Sequence, residues 1–163
     1  MQEHYRVRIS DDSLVFGAAH FITLGPDCCE PLHGHNYRVA AEVAGPLDEN
    51  HCVLDFLVLR ENVKAIVESL DHRVLLPTES PSIRVTAGDE EVAATMGQRR
   101  WVFPRGDCVL LPLPNTTAEL LARYLAVRLL DRLTTRCNCR PSVVRIEVQE
   151  CFGQSAVCDI WGE

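Results

Sequence analysis

The chain has 163 residues, 47% of them apolar and 24% charged, the profile of one globular domain, 1–163, able to bury its own core. Its net charge of −7 excludes nucleic acid as the principal partner, because phosphate neutralisation needs a basic surface. No apolar run reaches membrane-spanning length and the opening Met1-Gln2-Glu3-His4-Tyr5 lacks the layout of an export signal, so a cytoplasmic chain with eight reduced cysteines is the expectation.

Tyr5, Val7 and Ile9 alternate with Arg6 and Arg8, which predicts a half-buried strand. After a turn at Ser10 to Ser13, a second strand runs from Leu14 to Phe21 through Phe16-Gly17-Ala18-Ala19-His20, whose small residues allow a close backbone approach. His20 is either a hydrogen-bonded histidine at a strand end or a ligand. An irregular loop, Leu24 to Leu32, leads into Cys29-Glu30-Pro31-Leu32-His33-Gly34-His35, which crowds a thiol, a carboxylate and two imidazoles together. On a strand, residues two apart share a face, so His33 and His35 can share one metal ion. Imidazoles suit zinc, and three protein ligands with one open position define a catalytic site. Tyr37, Val39, Ala41 and Val43 continue in the same phase, placing the pair at one end of an inward stripe.

Gly45-Pro46 ends that strand. Asp55 caps a helix whose apolar positions run from Phe56 through Leu59, Val63, Ile66 and Val67 to Leu70. Asp71-His72 follows, either complementing the helix dipole or moving a proton. Residues 77–114 read as an inserted hairpin region with short strands at Ile83 to Ala87, Val92 to Met96 and Arg100 to Phe103, too poor in apolar residues for its own core. Its Arg99, Arg100 and Arg105 are either solvated or face a phosphate. Thr116 and Glu119 have capping-box spacing at the start of a second helix. Val144, Ile146, Val148 and Glu150 share one strand face, an expensive place for a carboxylate that is neither paired nor used. A last strand runs from Ala156 to Trp161. This order predicts an α+β fold, an antiparallel four-stranded sheet with two helices on one face.

With these positions marked, the chain resembles the 6-pyruvoyl-tetrahydropterin synthase family, which includes the 6-carboxytetrahydropterin synthases. The motifs occur in family order: Phe16 to His20, Cys29 to His35, Asp55-Phe56, Leu70-Asp71-His72, Thr117 to Glu119, and Glu150. The resemblance implies the tunnelling fold, with homo-oligomers (trimers or hexamers) whose active sites form between subunits. It implies zinc held by His20, His33 and His35, Cys29 as general base, and Asp71 with His72 completing a proton relay. Glu150 would anchor the pterin ring, with Thr117 and Glu119 lining the pocket.

The implied activity is a zinc lyase converting 7,8-dihydroneopterin triphosphate to 6-carboxy-5,6,7,8-tetrahydropterin, in the queuosine precursor pathway. The alternatives are 6-pyruvoyl-tetrahydropterin synthesis, or side-chain cleavage to 6-hydroxymethyl-7,8-dihydropterin in the folate branch, where a glutamate at the place of Glu30 acts. A non-enzymatic zinc-binding scaffold is the third reading. Departures from the family pattern fall at Leu76, Cys151 and the insertion.

Overall fold

The computed structural model describes residues 3–162. The strand β3, His33–Gly45, is the longest and organises the sheet. Its two edges are fully used. β1 (Tyr5–Ile9) and β2 (Val15–His20) lie one after the other along one edge, while β9 (Val143–Cys151) pairs along the other, followed by β10 (Gln154–Trp161). This antiparallel part has the four expected columns, with β1 and β2 forming one broken column.

Among the described residues the sheet itself has seven strands. Beyond β2 lie β4 (Arg73–Pro77) and β8 (Cys108–Leu111), both added in parallel. The sequence reading assigned neither. β4 carries no alternation to detect, because Leu75, Leu76 and Pro77 are all buried, as expected of a parallel strand covered on both faces. β8 falls inside the predicted insertion, 77–114, but pairs with β4 and so belongs to the main sheet.

Helix α1 (Phe56–Val67) starts as predicted, with the Asp55 carboxylate accepting from Leu57 N at 2.6 Å. Helix α2 (Ala118–Arg136) does not. The predicted Thr116–Glu119 capping box is absent, because Thr117 is the N-cap and makes no side-chain cap bond. Thr116 is fully buried, and its hydroxyl donates to Phe21 O at 3.4 Å. Both helices cover one face: α2 lies against β9 and β10, and α1 against α2 and β1. Leu59, Val63 and Ile66 from α1 and Leu121, Leu125 and Leu129 from α2 meet Phe16, Tyr37, Val39 and Val43 of the sheet in one core. No helix among the described residues is long and apolar enough to cross a membrane.

The insertion forms a separate antiparallel sheet of β5 (Arg84–Ala87), β6 (Glu91–Met96) and β7 (Arg99–Pro104). Ile83, Val92, Ala94 and Met96 are buried together with Phe21, Cys29, Leu76 and Cys108 from outside it. Trp101 stacks on Phe21, with ring centroids 4.4 Å apart and planes 16° from parallel.

Candidate active site

The alternation of β2 turns Phe16, Ala18 and His20 inward, and that of β3 turns His33, His35, Tyr37 and Val39 the same way. The antiparallel register then sets His20 opposite His33 and Ala18 opposite His35. Three imidazoles therefore converge at one end of the core. Their centroids are 4.8 Å apart for His20–His33, 5.3 Å for His20–His35 and 4.8 Å for His33–His35. One ligand atom from each lies within 4.8 Å of the others, so the trio could hold a metal ion.

Gly34 makes this approach possible. A Cβ there would sit 3.1 Å from the backbone oxygen of Ala18, an atom that cannot swing away. Gly34→Ala is expected to push β2 from β3, lowering stability by about 1–3 kcal/mol, the usual cost of overpacking, and weakening metal affinity. Thermal melts with and without zinc check this, and an unchanged midpoint with unchanged zinc binding would refute it.

The outer partners of the rings fix which nitrogens face inward. Nδ1–H of His20 donates to Thr116 O at 2.9 Å, and Nδ1–H of His33 donates to Pro31 O at 2.8 Å. A carbonyl can only accept, so Nδ1 carries a proton in both rings and Nε2 is the atom left for other partners, that of His20 lying 3.1 Å from the Tyr37 hydroxyl. This is the arrangement seen around metal-bound imidazoles. His20 is 1% exposed, and burial lowers its pKa, favouring the neutral ligand form. The Nε2 of His35 is buried with no hydrogen-bond partner among the described residues. Such an orphan costs about 1–3 kcal/mol, and a metal ion at this point would remove the cost. By donor set and geometry the three residues fit a metal.

Glu150, on β9, faces the trio. Its Oε1 lies 3.4 Å from Nε2 of His20 and 3.7 Å from Nε2 of His35, and it accepts a 3.3 Å hydrogen bond from the Tyr37 hydroxyl. Burial and the Glu150 charge push the Tyr37 pKa far up, so the phenol stays a donor. Beneath, Tyr37 stacks on Phe16 with centroids 4.7 Å apart.

Adjacent residues 29 and 30 part company. The Glu30 carboxylate lies 3.8 Å from Nε2 of His33. The Cys29 side chain is buried in the small core beside the insertion, and its thiol contacts Glu30 O at 3.3 Å. The resemblance implied Cys29 as the general base. Instead burial pushes the Cys29 thiol up, a shift that the Arg99 guanidinium only opposes.

Asp71 and His72 are not brought to the imidazoles within one chain. Asp71 accepts from Gly17 N at 2.8 Å, and His72 N donates to Gly17 O at 2.7 Å. Gly17 and its neighbour Asn36 alternate out of phase with the histidines, so the pair serves the other face of the sheet. The Gly17 amide and then His72 hold the Asp71 carboxyl below its ordinary value. His72 adopts φ +56°, a conformation that a non-glycine residue rarely takes without reason. Its ring Nδ1 lies 2.8 Å from Asp71 Oδ2, with the side chain 89% exposed. Thr117 and exposed Glu119 stand at the N-terminus of α2, immediately after the carbonyl that holds His20.

The sequence reading missed Tyr37 and Thr116 as parts of the site. For Tyr37 the signal was present in its phase, two residues beyond His35, but it was absorbed into the core stripe. Thr116 acts through its carbonyl, which carries no side-chain signal.

A curled sheet backed by two helices, with an imidazole trio and a carboxylate at one end, has the tunnelling fold, and its relatives make it a pterin-processing enzyme of the lyase type. The chain belongs to the 6-pyruvoyl tetrahydropterin synthase family, whose model matches residues 11–162. It is 32% identical over 144 residues, 88% of each chain, to the putative 6-carboxy-5,6,7,8-tetrahydropterin synthase of Methanocaldococcus jannaschii. The 6-pyruvoyl tetrahydropterin synthase of Plasmodium falciparum superposes with a TM-score of 0.90 at 27% identity, covering 98% of this chain and 99% of that one. Over 60 residues, 37% of this chain and 50% of the other, it is 38% identical to the dihydroneopterin monophosphate aldolase of Pyrococcus furiosus.

Proposed function

We propose that the protein is a cytoplasmic, zinc-dependent lyase acting on the side chain of 7,8-dihydroneopterin triphosphate, with 6-carboxy-5,6,7,8-tetrahydropterin, a queuosine precursor, as the product. The observation that carries this is the convergence of three imidazoles with one buried Nε2 left unpartnered among the described residues. An all-nitrogen donor set suits zinc, and the similarity to the archaeal 6-carboxytetrahydropterin synthase supports the product. Bound at the trio, zinc supplies Lewis acidity toward the oxygens of the substrate side chain.

The chain's own residues do the rest. Thr116 O and Pro31 O hold two of the rings in register. Glu150, held by the Tyr37 hydroxyl, offers a carboxylate to the guanidine-like edge of the pterin, a pairing suited to two parallel charge-assisted hydrogen bonds. Thr117 and Glu119 close the pocket from the start of α2. Half-buried Asp71 and exposed His72, on the opposite sheet face, serve a neighbouring subunit's site in a trimeric or hexameric assembly.

A second reading has its own support. Glu30, not Cys29, points its functional group at His33, and a carboxylate base there suits cleavage of the carbon–carbon bond between the first two side-chain carbons, yielding 6-hydroxymethyl-7,8-dihydropterin. The resemblance to an archaeal aldolase agrees.

The test is to incubate zinc-loaded protein with dihydroneopterin triphosphate and identify products by mass spectrometry, for the native chain, Cys29→Ala and Glu30→Gln. Loss of the 6-carboxy product in Cys29→Ala alone supports the first reading, and loss of a 6-hydroxymethyl product in Glu30→Gln alone supports the second. Unchanged substrate with all three proteins would leave only a zinc-binding scaffold.

A further inference from the structure

We propose that the three-stranded insertion is a clamp on the loop carrying Cys29 and Glu30, and that Arg99 is the positioning residue deciding which of the two side chains faces the imidazoles. Three contacts bind the loop and the residue leading into it to the insertion. The Arg99 guanidinium donates to Cys29 O at 2.7 Å. Trp101 stacks on Phe21, the residue after His20. The Cys29 side chain itself fills the small core with Ile83, Val92, Ala94 and Met96.

The loop is closed on itself by Leu24 N to Cys28 O at 2.9 Å and Glu30 N to Ile22 O at 3.0 Å. It therefore moves as a unit, and its base is tied to Asn115, which bonds Thr23 through both amide atoms. Successive side chains in such an extended segment point oppositely. Fixing Cys29 toward the insertion thus obliges Glu30 to face His33, where its carboxylate lies. Arg99 tethers the peptide at the pivot between the two. Without that bond the thiol is free to leave its small core and compete for the site.

This inference rests on the lyase reading for its consequence, but the clamp is measured without turnover. In a Cys28→Ser background, which removes the exposed neighbouring thiol, iodoacetamide labelling is followed by peptide mass mapping in Arg99, Arg99→Ala and Arg99→Lys proteins. Compared as pH-independent rates of the thiolate, so that losing the guanidinium's own lowering of the thiol pKa does not enter, Cys29 in Arg99→Ala should react about tenfold faster, the loss of one charge-assisted hydrogen bond. Cys108, buried in the same cluster, should keep its rate, and Arg99→Lys should restore protection. With dihydroneopterin triphosphate, the ratio of 6-carboxy to 6-hydroxymethyl product should rise in Arg99→Ala and return in Arg99→Lys.

Unchanged Cys29 labelling, or Cys29 and Cys108 accelerating together, overturns the clamp. Selective labelling with an unchanged product ratio overturns the choice of base. A native enzyme that turns over no pterin sinks the lyase reading, while the labelling still decides whether Arg99 holds the loop.

Discussion

Replacing His20 with alanine is expected to abolish stoichiometric metal retention and to lower turnover of dihydroneopterin triphosphate roughly a thousandfold, the scale of several kcal/mol of lost charge stabilisation. His20 carries this weight because it is the most enclosed of the three rings, 1% exposed, and the one joined to the N-terminal approach of α2 through Thr116 O. Alanine removes a ligand and also strands the Thr116 carbonyl in the core without a donor. The measurement is metal content after dialysis, together with thermal melts at increasing zinc. The native chain should melt higher as zinc is added, because a ligand bound only to the folded state stabilises it, and the variant should not respond. One tightly held zinc per chain in His20→Ala would remove the basis for the site.

Glu150→Gln is expected to weaken pterin binding about a hundredfold, since the glutamine keeps the shape but replaces a charge-assisted pair with weaker bonds. Zinc content should stay at the native level. Both readouts are needed because Glu150 Oε1 lies within 3.4 Å of one imidazole and 3.7 Å of another, which is also where a fourth metal partner would stand. Pterin affinity is measured by fluorescence titration and zinc by elemental analysis. Loss of zinc with little change in pterin affinity would assign the carboxylate to the metal instead of the ring.

Both experiments depend on a geometry that was partly visible in the residue pattern. The two-residue spacing of His33 and His35 is enough to put them on one face, because strand side chains alternate with period two. The phase of Val144, Ile146 and Val148 likewise carried Glu150 inward. Local rules found the start of α1 at Asp55, since an N-cap carboxylate needs only its own next two residues. They failed at α2, where Thr116 has the spacing for a capping box but spends its hydroxyl on Phe21 O, 95 residues away in sequence. Tertiary burial outcompeted the local bond.

The same limit hid β4 and β8. A strand covered on both faces loses the alternation that reveals a half-buried one, and its pairing partners lie far away along the chain. Nor could spacing disclose that Asp71 and His72 turn to the opposite sheet face, because that follows from two hydrogen bonds to Gly17 and a left-handed backbone at His72.

By itself the sequence determined which side chains are candidate donors and the face each occupies on its own strand, because side-chain phase is a property of local backbone geometry. Only the tertiary structure decided the β2–β3 register that sets His20 against His33, the turning of Cys29 into the insertion's core and of Glu30 toward the imidazoles, and the contact of Glu150 with Tyr37. Each of these joins segments distant in the chain, and their pairing is settled by which surfaces bury best against one another.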